Sequence, residues 1–460
     1  MSVADKNLQA QPSIRVLIVG AGLAGLATAL ALKQAGHDVT VLERVPELRE
    51  IGAGIQLSPN ATRLLRRWGV LDPIRKYAFQ PDLGSLRSYR GAVIAKPRRA
   101  FLVEWVYRAP YLVIHRADLL KVLLAAVTAH GVKVKLGCEV TSIDFSKASL
   151  RISTGEIYQA DVILGADGER SACRSALLGH TDLPVSTGDV VYRIAVQRRD
   201  ISEGHPAWEL MKRDSINLWM GPDAHVVSYV LRDDVLNVVL SHGDRSGNGV
   251  MYGPQRADLK DLRAKFSEWD SALQEVMNVK ESDCTKWSLL HVKEMASWQH
   301  ESGRFALIGD AAHAMPPHLA QGAAQAFEDA GVLGALFGRL THVSQIPGAL
   351  GMFEKLRKPR TTEIGKRVFR QKEMYSIDDG PEQKARDAKL AWGMMPGSPN
   401  ALGDPFFQWW LWGYDAMADA EKAWDEFLGI RGSVFSRPLL SWVPVLVSLI
   451  GLAVFWGGYR

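Results

Sequence analysis

Residues 14–34 read IRVLIVGAGLAGLATALALKQ and carry the strongest structural signal in the chain. The apolar run 14–19 is rich in β-branched side chains, which is typical of a buried parallel strand. The glycine pattern GAGLAG follows at once, and the alanine- and leucine-rich stretch after it predicts a helix that ends before Gly36. A second apolar strand is expected at 38–42. This order of strand, glycine turn, helix and strand indicates an α/β protein with a parallel sheet.

The three glycines of this turn have separate expected roles. Gly20 allows a tight turn, Gly22 lets the backbone approach a pyrophosphate, and Gly25 lets the helix pack closely on the strand. The N–H groups at the start of the helix attract phosphate. Glu43 follows Gly20 by 23 residues, where a carboxylate can bind both hydroxyls of an adenosine ribose and would repel a 2′-phosphate. The pattern predicts a dinucleotide site for FAD or NAD, with NADP disfavoured, and does not decide between the first two.

Composition excludes several classes of protein. The chain has 460 residues, of which 47% are hydrophobic and 23% charged, so neither a disordered chain nor a polytopic membrane protein is expected. A net charge of +5 is too small to argue for binding of nucleic acid. The three cysteines are odd in number and widely spaced, which favours a reducing compartment over a disulfide framework.

The C-terminal stretch 438–459, PLLSWVPVLVSLIGLAVFWGGY, has no charged residue. As a helix it would cover roughly 30 Å, the thickness of a bilayer's hydrocarbon core. Aromatic residues lie near both ends, and Arg437 precedes the stretch. We therefore predict a single-pass C-terminal anchor, with the rest of the chain on the cytosolic face of an intracellular membrane. The alternative is a helix packed on the body of the protein, since Pro444, Gly451 and Gly457 weaken a spanning helix.

Two more predicted strands end in a glycine-aspartate turn. The strand at 160–164 leads into GADGERSACR (165–174), and the strand at 304–308 leads into GDAAHAMPPHLAQGAAQAFEDA (309–330). The carboxyl ends of neighbouring parallel strands meet at one edge of a sheet, where ligands bind. The sequence therefore predicts that all three turns contribute to one site.

These motifs occur together with IGAGIQLSPNA (51–61), HRADL (115–119) and WLWGYDA (410–416). In this order they resemble the single-component FAD-dependent aromatic monooxygenases, the salicylate hydroxylase and p-hydroxybenzoate hydroxylase family, from about residue 14 to about residue 425. The resemblance implies an α/β fold of the p-hydroxybenzoate hydroxylase type. An FAD-binding Rossmann-type domain would carry an inserted mixed β-sheet substrate domain and C-terminal helices.

The resemblance also implies a division of the chain. The FAD domain would comprise 14–185, with a short excursion of the substrate domain near 86–109, and 285–350. The substrate domain would comprise 186–284, and 351–430 would be a helical, aromatic-rich segment. Its aromatic tract 403–414 would pack over the substrate cavity or against the second subunit of a homodimer. The region 354–372 has eight Lys or Arg residues and is predicted as a solvated helix, with binding of an NADPH phosphate or anionic lipid as the alternative.

Carried over to this chain, the resemblance gives Asp310 the role of binding the ribityl chain of FAD. Ala323 and Ala324 would offer backbone N–H groups to the flavin ring, although many members have Asn where this chain has Ala324. The alternative for Asp310 is capping of the following helix. His313 and His318 could suggest a metal pair, but no third ligand accompanies them.

Five further cofactor contacts follow from the same resemblance. Arg116 would contact FAD, and Ala53 and Gly54 would lie in the loop that runs beside the flavin. Asp167 and Gly168 belong to a turn that would serve both FAD and the reduced nicotinamide.

The implied reaction uses FAD, O2 and NAD(P)H. Hydride reduces FAD, O2 adds at flavin C4a, and the hydroperoxide hydroxylates a phenolic or fused aromatic small molecule. The resemblance to fungal members and the predicted anchor indicate a role in fungal secondary metabolism. Such a site must exclude water, and the positive end of the helix near Gly322 would stabilise the reduced flavin's charge. Epoxidation of an electron-rich alkene or indole, and salicylate-like decarboxylative hydroxylation, are the alternatives.

Two middle strands are expected to carry the substrate, 189–196 and 225–231. Arg193 lies on an otherwise apolar strand, and burying an unpaired charge is costly. It could hold a substrate carboxylate or phenolate or polarise the hydroperoxide; the alternative is an exposed strand face. Tyr229 could donate to or deprotonate a phenol, or be an ordinary sheet tyrosine. His225 is interpreted as a satisfied polar residue at a strand edge.

Overall fold

The computed structural model describes residues 12–48, 54–96, 100–212, 215–244, 249–279 and 284–429. Its strands are, in chain order, β1 (Arg15–Val19), β2 (Asp38–Leu42), β3 (Gly54–Leu57), β4 (Leu83–Ser88), β5 (Val93–Ala95), β6 (Leu112–His115), β7 (Lys133–Lys135), β8 (Val140–Asp144), β9 (Ser149–Ile152), β10 (Ile157–Gln159), β11 (Val162–Gly165), β12 (Val185–Gln197), β13 (Ser215–Gly221), β14 (Ala224–Leu231), β15 (Val235–Gly243), β16 (Gln255–Arg256), β17 (Cys284–His291) and β18 (Phe305–Leu307).

The α-helices are, in chain order, α1 (Leu23–Gln34), α2 (Pro59–Arg67), α3 (Leu71–Arg75), α4 (Ala100–Tyr107), α5 (Arg116–Ala129), α6 (Ala172–Leu178), α7 (Leu259–Lys265), α8 (Ser271–Val279), α9 (Asp310–His313), α10 (Gly322–Phe337), α11 (Ile346–Tyr375), α12 (Pro381–Ala391), α13 (Pro405–Trp412) and α14 (Ala416–Phe427).

A parallel sheet forms the first layer, with strand order β18-β11-β1-β2-β7. Strands β1 and β11 are almost wholly buried, as their continuous apolar sequences predict. Helix α1 approaches α10 so closely that a Cβ at Gly334 would lie 2.9 Å from the Cβ of Ala31. Because β1, β11 and β18 are neighbours, the three glycine-containing turns that follow them meet at one edge of the sheet. The predicted parallel-sheet arrangement is confirmed.

A larger mixed sheet forms the second layer, with strand order β16-β17-β12-β15-β14-β13-β4-β5. Neighbouring strands are antiparallel except β4 and β13, which run parallel. One face packs on α7 and α8 through a core that includes Ile194, Trp219, Val226, Val238 and Phe266. The predicted mixed sheet is therefore present, and it draws its strands from residues 83–95 as well as 185–291.

Helix α13 packs against α4 and α11, whereas α14 belongs to the main core with α10. Phe407, Leu411 and Trp412 of α13 share a buried cluster with Ile364 and Val368 of α11. The prediction that 354–372 is a helix is correct, and Lys355, Lys366 and Arg370 are exposed as predicted. The prediction that this helix is solvated is wrong for the face that carries Arg357 and Arg360. Arg357 and Arg360 are only 0% and 7% exposed, because they pair with buried acids on α10 (below).

Within the residues that the structure describes, no helix is both long and apolar enough to cross a bilayer. The predicted anchor at 438–459 lies outside the described residues, so the anchor and the location that it implies stay predictions.

Candidate active site

In the glycine turn after β1, two glycines are required by close packing and one faces empty space. Gly20 has a φ of +107°, and a Cβ there would lie 2.4 Å from the carbonyl oxygen of Ala166. A Cβ at Gly25 would lie 2.0 Å from the carbonyl oxygen of Gly20, so close packing excludes any side chain. A Cβ at Gly22 would meet no atom within 4 Å. Gly20 and Gly25 therefore serve the fold, while Gly22 faces open space at the start of α1, where phosphate binds well.

The open space in front of Gly22 is a cleft of about 290 Å³. Its lining includes Gly20, Gly22, Glu43, Asp167, Gly168 and Arg170. Glu43 is fixed at the cleft because its carboxylate accepts hydrogen bonds from the backbone N–H groups of Ala21 (2.8 Å) and Val45 (3.1 Å). A cleft that joins a helix N-terminus to a carboxylate at the end of β2 fits the adenosine diphosphate half of FAD.

Asp167 lies at the cleft, but its side chain is engaged locally. Its carboxylate accepts hydrogen bonds from the Ser171 hydroxyl and from the backbone N–H of Cys173 at 3.0 Å, which fixes the start of α6. Gly168 has a φ of +80° and open space at its Cβ position. A dinucleotide would therefore meet mainly the backbone of this turn.

Asp310 is the first residue of α9, and the residue that caps this helix is Gly309. The Asp310 side chain is exposed, and no hydrogen bond joins it to another described residue. Burial raises the pKa of Glu169, and the negative charge of Asp310 raises it further. The positive charge of Arg116 lowers the pKa of Glu169. Asp310, Glu169 and Arg116 thus lie near one another although they are distant in sequence. Helix capping does not account for Asp310, whose carboxylate can accept from a ligand.

The N-terminus of α10 is also open. Within the described part of the chain, no side chain caps it, and a Cβ at Gly322 would meet nothing within 4 Å. The first N–H groups of a helix have no partner within the helix. Ala323 is half-buried and Ala324 is 1% exposed, so this N-terminus offers backbone donors and positive potential in a sheltered place.

Of the other predicted cofactor residues, Gly54 begins β3, and Ala53 lies outside the described residues.

Behind these turns lies a buried ion-pair network that the sequence reasoning missed. It joins Glu328 and Asp329 of α10 to Arg357 and Arg360 of α11. Burial raises the pKa of Glu328, but the charges of Arg360 and Arg357 outweigh it and lower the pKa overall. The signal available in the sequence was a pair of adjacent acids in an otherwise apolar helix, which is costly unless basic groups accompany them.

The second face of the mixed sheet has an apolar floor ringed by polar side chains. Val227 and Val239 are directly paired on β14 and β15 and keep partial exposure. Around them His225, Tyr229 and Asn237 are 6%, 4% and 2% exposed. Partial exposure in the middle of a covered sheet indicates open space above the two valines, and we call this surface the valine floor.

Tyr229 borders the valine floor and also contacts Gly54 of β3, a residue predicted to lie beside FAD. A Cβ at Gly54 would lie 2.4 Å from Cε2 of Tyr229. Burial raises the pKa of Tyr229, Tyr111 raises it further, and a hydrogen bond with Gln56 only partly opposes these effects. The phenol of Tyr229 is therefore protonated at neutral pH. It can donate a hydrogen bond, which the raised pKa favours over the alternative that it deprotonates a phenol.

Arg193 lies on the same face as Tyr229 and is half-buried. Its Nε atom has no hydrogen-bond partner among the described residues. Burial lowers the pKa of Arg193, and Tyr229 and Cys284 act in the opposite direction. Asn237 Nδ2 and Thr285 Oγ1 are also buried without a partner in the described structure. They belong to the two strands that flank β12, a grouping that only the strand register reveals.

The histidines do not form the pair considered from sequence. His313 contacts Asp329, whereas the His318 ring lies 5.0 Å from the ring of His225, which borders the valine floor. His225 is the second residue of β14, an inner strand of the sheet, and also contacts Tyr375 at 5.1 Å. Burial lowers the pKa of His225 well below its usual value and that of His318 to about 3, so both rings are neutral.

Comparison with known proteins agrees with this arrangement. A family model described as an FAD binding domain matches residues 13–364. The chain belongs to this family. FAD-dependent monooxygenase OpS4 of Beauveria bassiana is 39% identical over 418 residues, covering 89% of the chain and 97% of the relative. The 3-amino-4-hydroxybenzoate 2-monooxygenase of Streptomyces cremeus is 34% identical, covering 88% of the chain and 96% of that enzyme.

Two solved structures support the fold of this FAD-binding protein. A salicylate hydroxylase substrate complex has a TM-score of 0.73 and 26% identity, covering 89% of the chain and 98% of that structure. CtdE in complex with FAD and a substrate has a TM-score of 0.78 at 22% identity, covering 95% of the chain and 100% of CtdE. The predicted family, fold and FAD cofactor are confirmed, and the chain is an FAD-dependent monooxygenase.

Proposed function

We propose that this FAD-dependent monooxygenase hydroxylates a phenolic or fused aromatic small molecule, with O2 as co-substrate and NAD(P)H as reductant. The observation that carries the proposal is the valine floor with Arg193 and Tyr229 at its edge, in contact with β3 through Gly54. An apolar surface with a few polar groups is the usual design of a small-molecule site. The names of relatives that act on hydroxybenzoates support an aromatic substrate.

The residues that would hold FAD are those that the site description places at the cleft, at the Asp310 turn and at the N-terminus of α10. Gly20, Gly22 and Gly25 would shape the pyrophosphate turn, and Glu43 would accept from the adenosine ribose. Asp310 would accept from the ribityl chain, while Arg116, Gly54, Gly168 and the backbone of Asp167 and Ala323 would contact other parts of the cofactor. Ala53 stays a predicted contact. When bound, FAD supplies electron transfer and the activation of O2.

The protein's own contribution would be to orient the ring and keep it dry. Val227 and Val239 offer an apolar surface to an aromatic ring and exclude water from it. Arg193 would pair with an anionic oxygen of the substrate, because it is half-buried and its buried Nε atom has no hydrogen-bond partner among the described residues. Tyr229, protonated, would donate a hydrogen bond to a second oxygen. These roles make Arg193 and Tyr229 substrate-contacting residues.

A role in fungal secondary metabolism is part of this proposal. It is supported by related FAD-dependent monooxygenases from Beauveria bassiana, Nectria and Arthrinium, which are fungi.

The test is oxidation of NADH and of NADPH by the purified, FAD-loaded protein across a panel of phenols, aromatic acids and indoles. We expect oxidation to accelerate with some aromatic compounds and to yield products that contain one more oxygen atom, detected by mass spectrometry. A phenolic product supports hydroxylation, whereas an epoxide or its rearrangement product contradicts it. A protein that oxidises NAD(P)H at one rate whatever aromatic is present would contradict the proposal as a whole.

A further inference from the structure

The carboxylate of Asp329 holds both ends of the short turn that carries Asp310. Its Oδ2 atom accepts a hydrogen bond from the backbone N–H of Gly309 at 2.9 Å and lies 2.7 Å from Nε2 of His313. Asp329 is 0% exposed, and His313 is 9% exposed. The turn cannot shift without breaking buried polar contacts, which are costly to leave unmade.

Glu328, the preceding residue, connects two other segments of the cofactor side. Its Oε1 atom accepts from Nδ2 of Asn60 at 2.6 Å, and Asn60 is the second residue of α2, which follows β3. Asn60 also donates to Oε1 of Gln321 at 3.1 Å, and Gln321 directly precedes Gly322. Gln325 donates to both Gln321 Oε1 (3.0 Å) and Glu328 Oε1 (3.3 Å). Glu328 thus reaches the open N-terminus of α10 through side-chain hydrogen bonds.

Two arginines of α11 balance the two acids. Arg357 donates to Glu328 at 2.5 Å and to Asp329 at 2.8 Å. Arg360 forks onto the carboxylate of Glu328 with bonds of 2.7 and 2.9 Å. All four side chains are buried, so the loss of one partner leaves an uncompensated charge.

Arg360 also ties the network to the C-terminal segment. It donates to the carbonyl oxygens of Trp410 (3.1 Å) and Leu411 (2.9 Å). Its guanidinium lies 4.0 Å from the ring centre of Tyr414 and 4.6 Å from that of Trp410. These residues follow the part of the chain, 13–364, that the family model matches. A segment outside the matched region is therefore bonded to the network behind the cofactor side.

We infer that Glu328, Asp329, Arg357 and Arg360 are positioning residues for FAD, which fix the Asp310 turn and the N-terminus of α10 and set the electrostatic potential there. The inference rests on the proposed contacts of Asp310 and Ala323 with the cofactor. Glu328 follows Gly322 by six residues, about 9 Å along the helix. At that distance inside a protein a unit charge still acts on a ligand at the helix N-terminus.

The first measurement is FAD affinity, by titrating the full-length apoprotein and following flavin fluorescence. In Glu328→Gln and Arg360→Met we expect FAD to bind about 10- to 100-fold more weakly, as for other residues that orient a site's direct contacts. Arg339→Met is the matched control, because it breaks a 2.8 Å ion pair with Asp425 at the other end of α10. It should lower stability and leave FAD affinity within about twofold of wild type. Network variants that bind FAD like this control overturn the inference.

The reduction potential of bound FAD gives a readout that loss of stability alone would not produce. Glu328→Gln leaves an excess positive charge, which favours the anionic reduced flavin, so the potential should rise. Arg360→Met leaves an excess negative charge, so the potential should fall, and Arg360→Lys, which keeps the charge, should restore it. Shifts of the same sign in Glu328→Gln and Arg360→Met overturn the electrostatic part of the inference.

Two further variants keep the result interpretable. If the charge variants do not fold, His313→Gln, which leaves both arginines and both acids in place, weakens the hold on Asp329 and should still weaken FAD binding, whereas wild-type affinity overturns the inference. Asp310→Asn tests the cofactor contact itself. If Asp310→Asn binds FAD as wild type does, the proposed cofactor site is wrong and the inference falls with it. If Asp310→Asn weakens binding and the network variants do not, the inference alone is overturned.

Discussion

Tyr229 of the mixed sheet touches Gly54 at the start of β3, so that a Cβ on Gly54 would lie only 2.4 Å from Cε2 of the tyrosine ring. This contact joins the valine floor to the segment proposed to lie beside FAD. Since the ring is buried and its hydroxyl shares Gln56 with Tyr111, it has little room to yield.

Gly54→Ala is therefore expected to displace Tyr229 or β3 and to destabilise the fold by about 1–3 kcal/mol. Turnover should fall more than FAD content does. Thermal unfolding, flavin content and steady-state rates measure these effects. Gly365→Ala is the control, because a Cβ at this helical glycine meets nothing within 4 Å. A Gly54→Ala protein with wild-type stability and rates would contradict the contact.

The glycines of the first turn should respond in opposite ways. Gly25→Ala places a Cβ 2.0 Å from a carbonyl oxygen and should destabilise even the apoprotein by more than about 1 kcal/mol. Gly22→Ala meets no protein atom, so the apoprotein should unfold at the wild-type temperature. Its added methyl group should instead weaken FAD binding by about tenfold or more. Differential scanning fluorimetry with and without FAD separates the two effects, and normal FAD affinity in Gly22→Ala would place the pyrophosphate elsewhere.

Arg193→Met should weaken binding of an anionic aromatic by about 10- to 100-fold, because a hydrogen-bonded charge pair is lost. Asn237→Leu should have a smaller effect of the same sign, since its unpartnered amide lies on the strand next to that of Arg193. FAD content should not change in either variant. Asn217→Leu is the control, because Asn217 is buried on the opposite face of the sheet and pairs with Ser228. Binding is followed by the change in flavin absorbance, and equal losses in all three variants would point to general destabilisation.

Tyr229→Phe should lower turnover by about tenfold, the value of one hydrogen bond, at every pH between 6 and 9. The reason is that burial raises the pKa of Tyr229, so the phenol keeps its proton throughout this range. The pH profile of kcat/KM should therefore have the same shape in the variant and in wild type. An ionisation near neutral pH that disappears in Tyr229→Phe would show instead that the residue acts as a base.

Much of the cofactor side could be predicted from the sequence because its signals are local. The glycine turn, the strand before it and the helix after it are adjacent in the chain, and steric demands fix which residue types fit. The other two turns follow strands of the same kind. Their meeting at one edge required only the rule that neighbouring parallel strands end together, which the order β18-β11-β1 bears out.

The rest depended on pairings that no local pattern encodes. Glu328 and Arg357 are 29 residues apart, and only the packing of α10 on α11 turns a basic stretch into a buried network. Asn237 and Thr285 lie on the same face as Arg193 because of the register in which β12 pairs with β15 and with β17. An error of one residue in that register would move these side chains to the other face. Of the polar residues beside the valine floor, the sequence could therefore indicate Arg193 but not its grouping with Asn237 and Thr285.

The buried histidines predict that stability falls in mild acid. Burial lowers the pKa of His318 to about 3 and that of His225 well below its usual value, so both bind a proton more readily in the unfolded chain. The stability that each contributes is present above the unfolded pKa near 6.5 and is lost as the pH falls towards the folded pKa. At pH 5.5 this amounts to about 1.4 kcal/mol for each ring. His318→Gln should reduce the dependence of the unfolding free energy on pH between 7 and 5, measured by denaturant titration, whereas the exposed control His180→Gln should not. If wild type and His318→Gln have the same pH dependence, the His318 ring is not held neutral by burial.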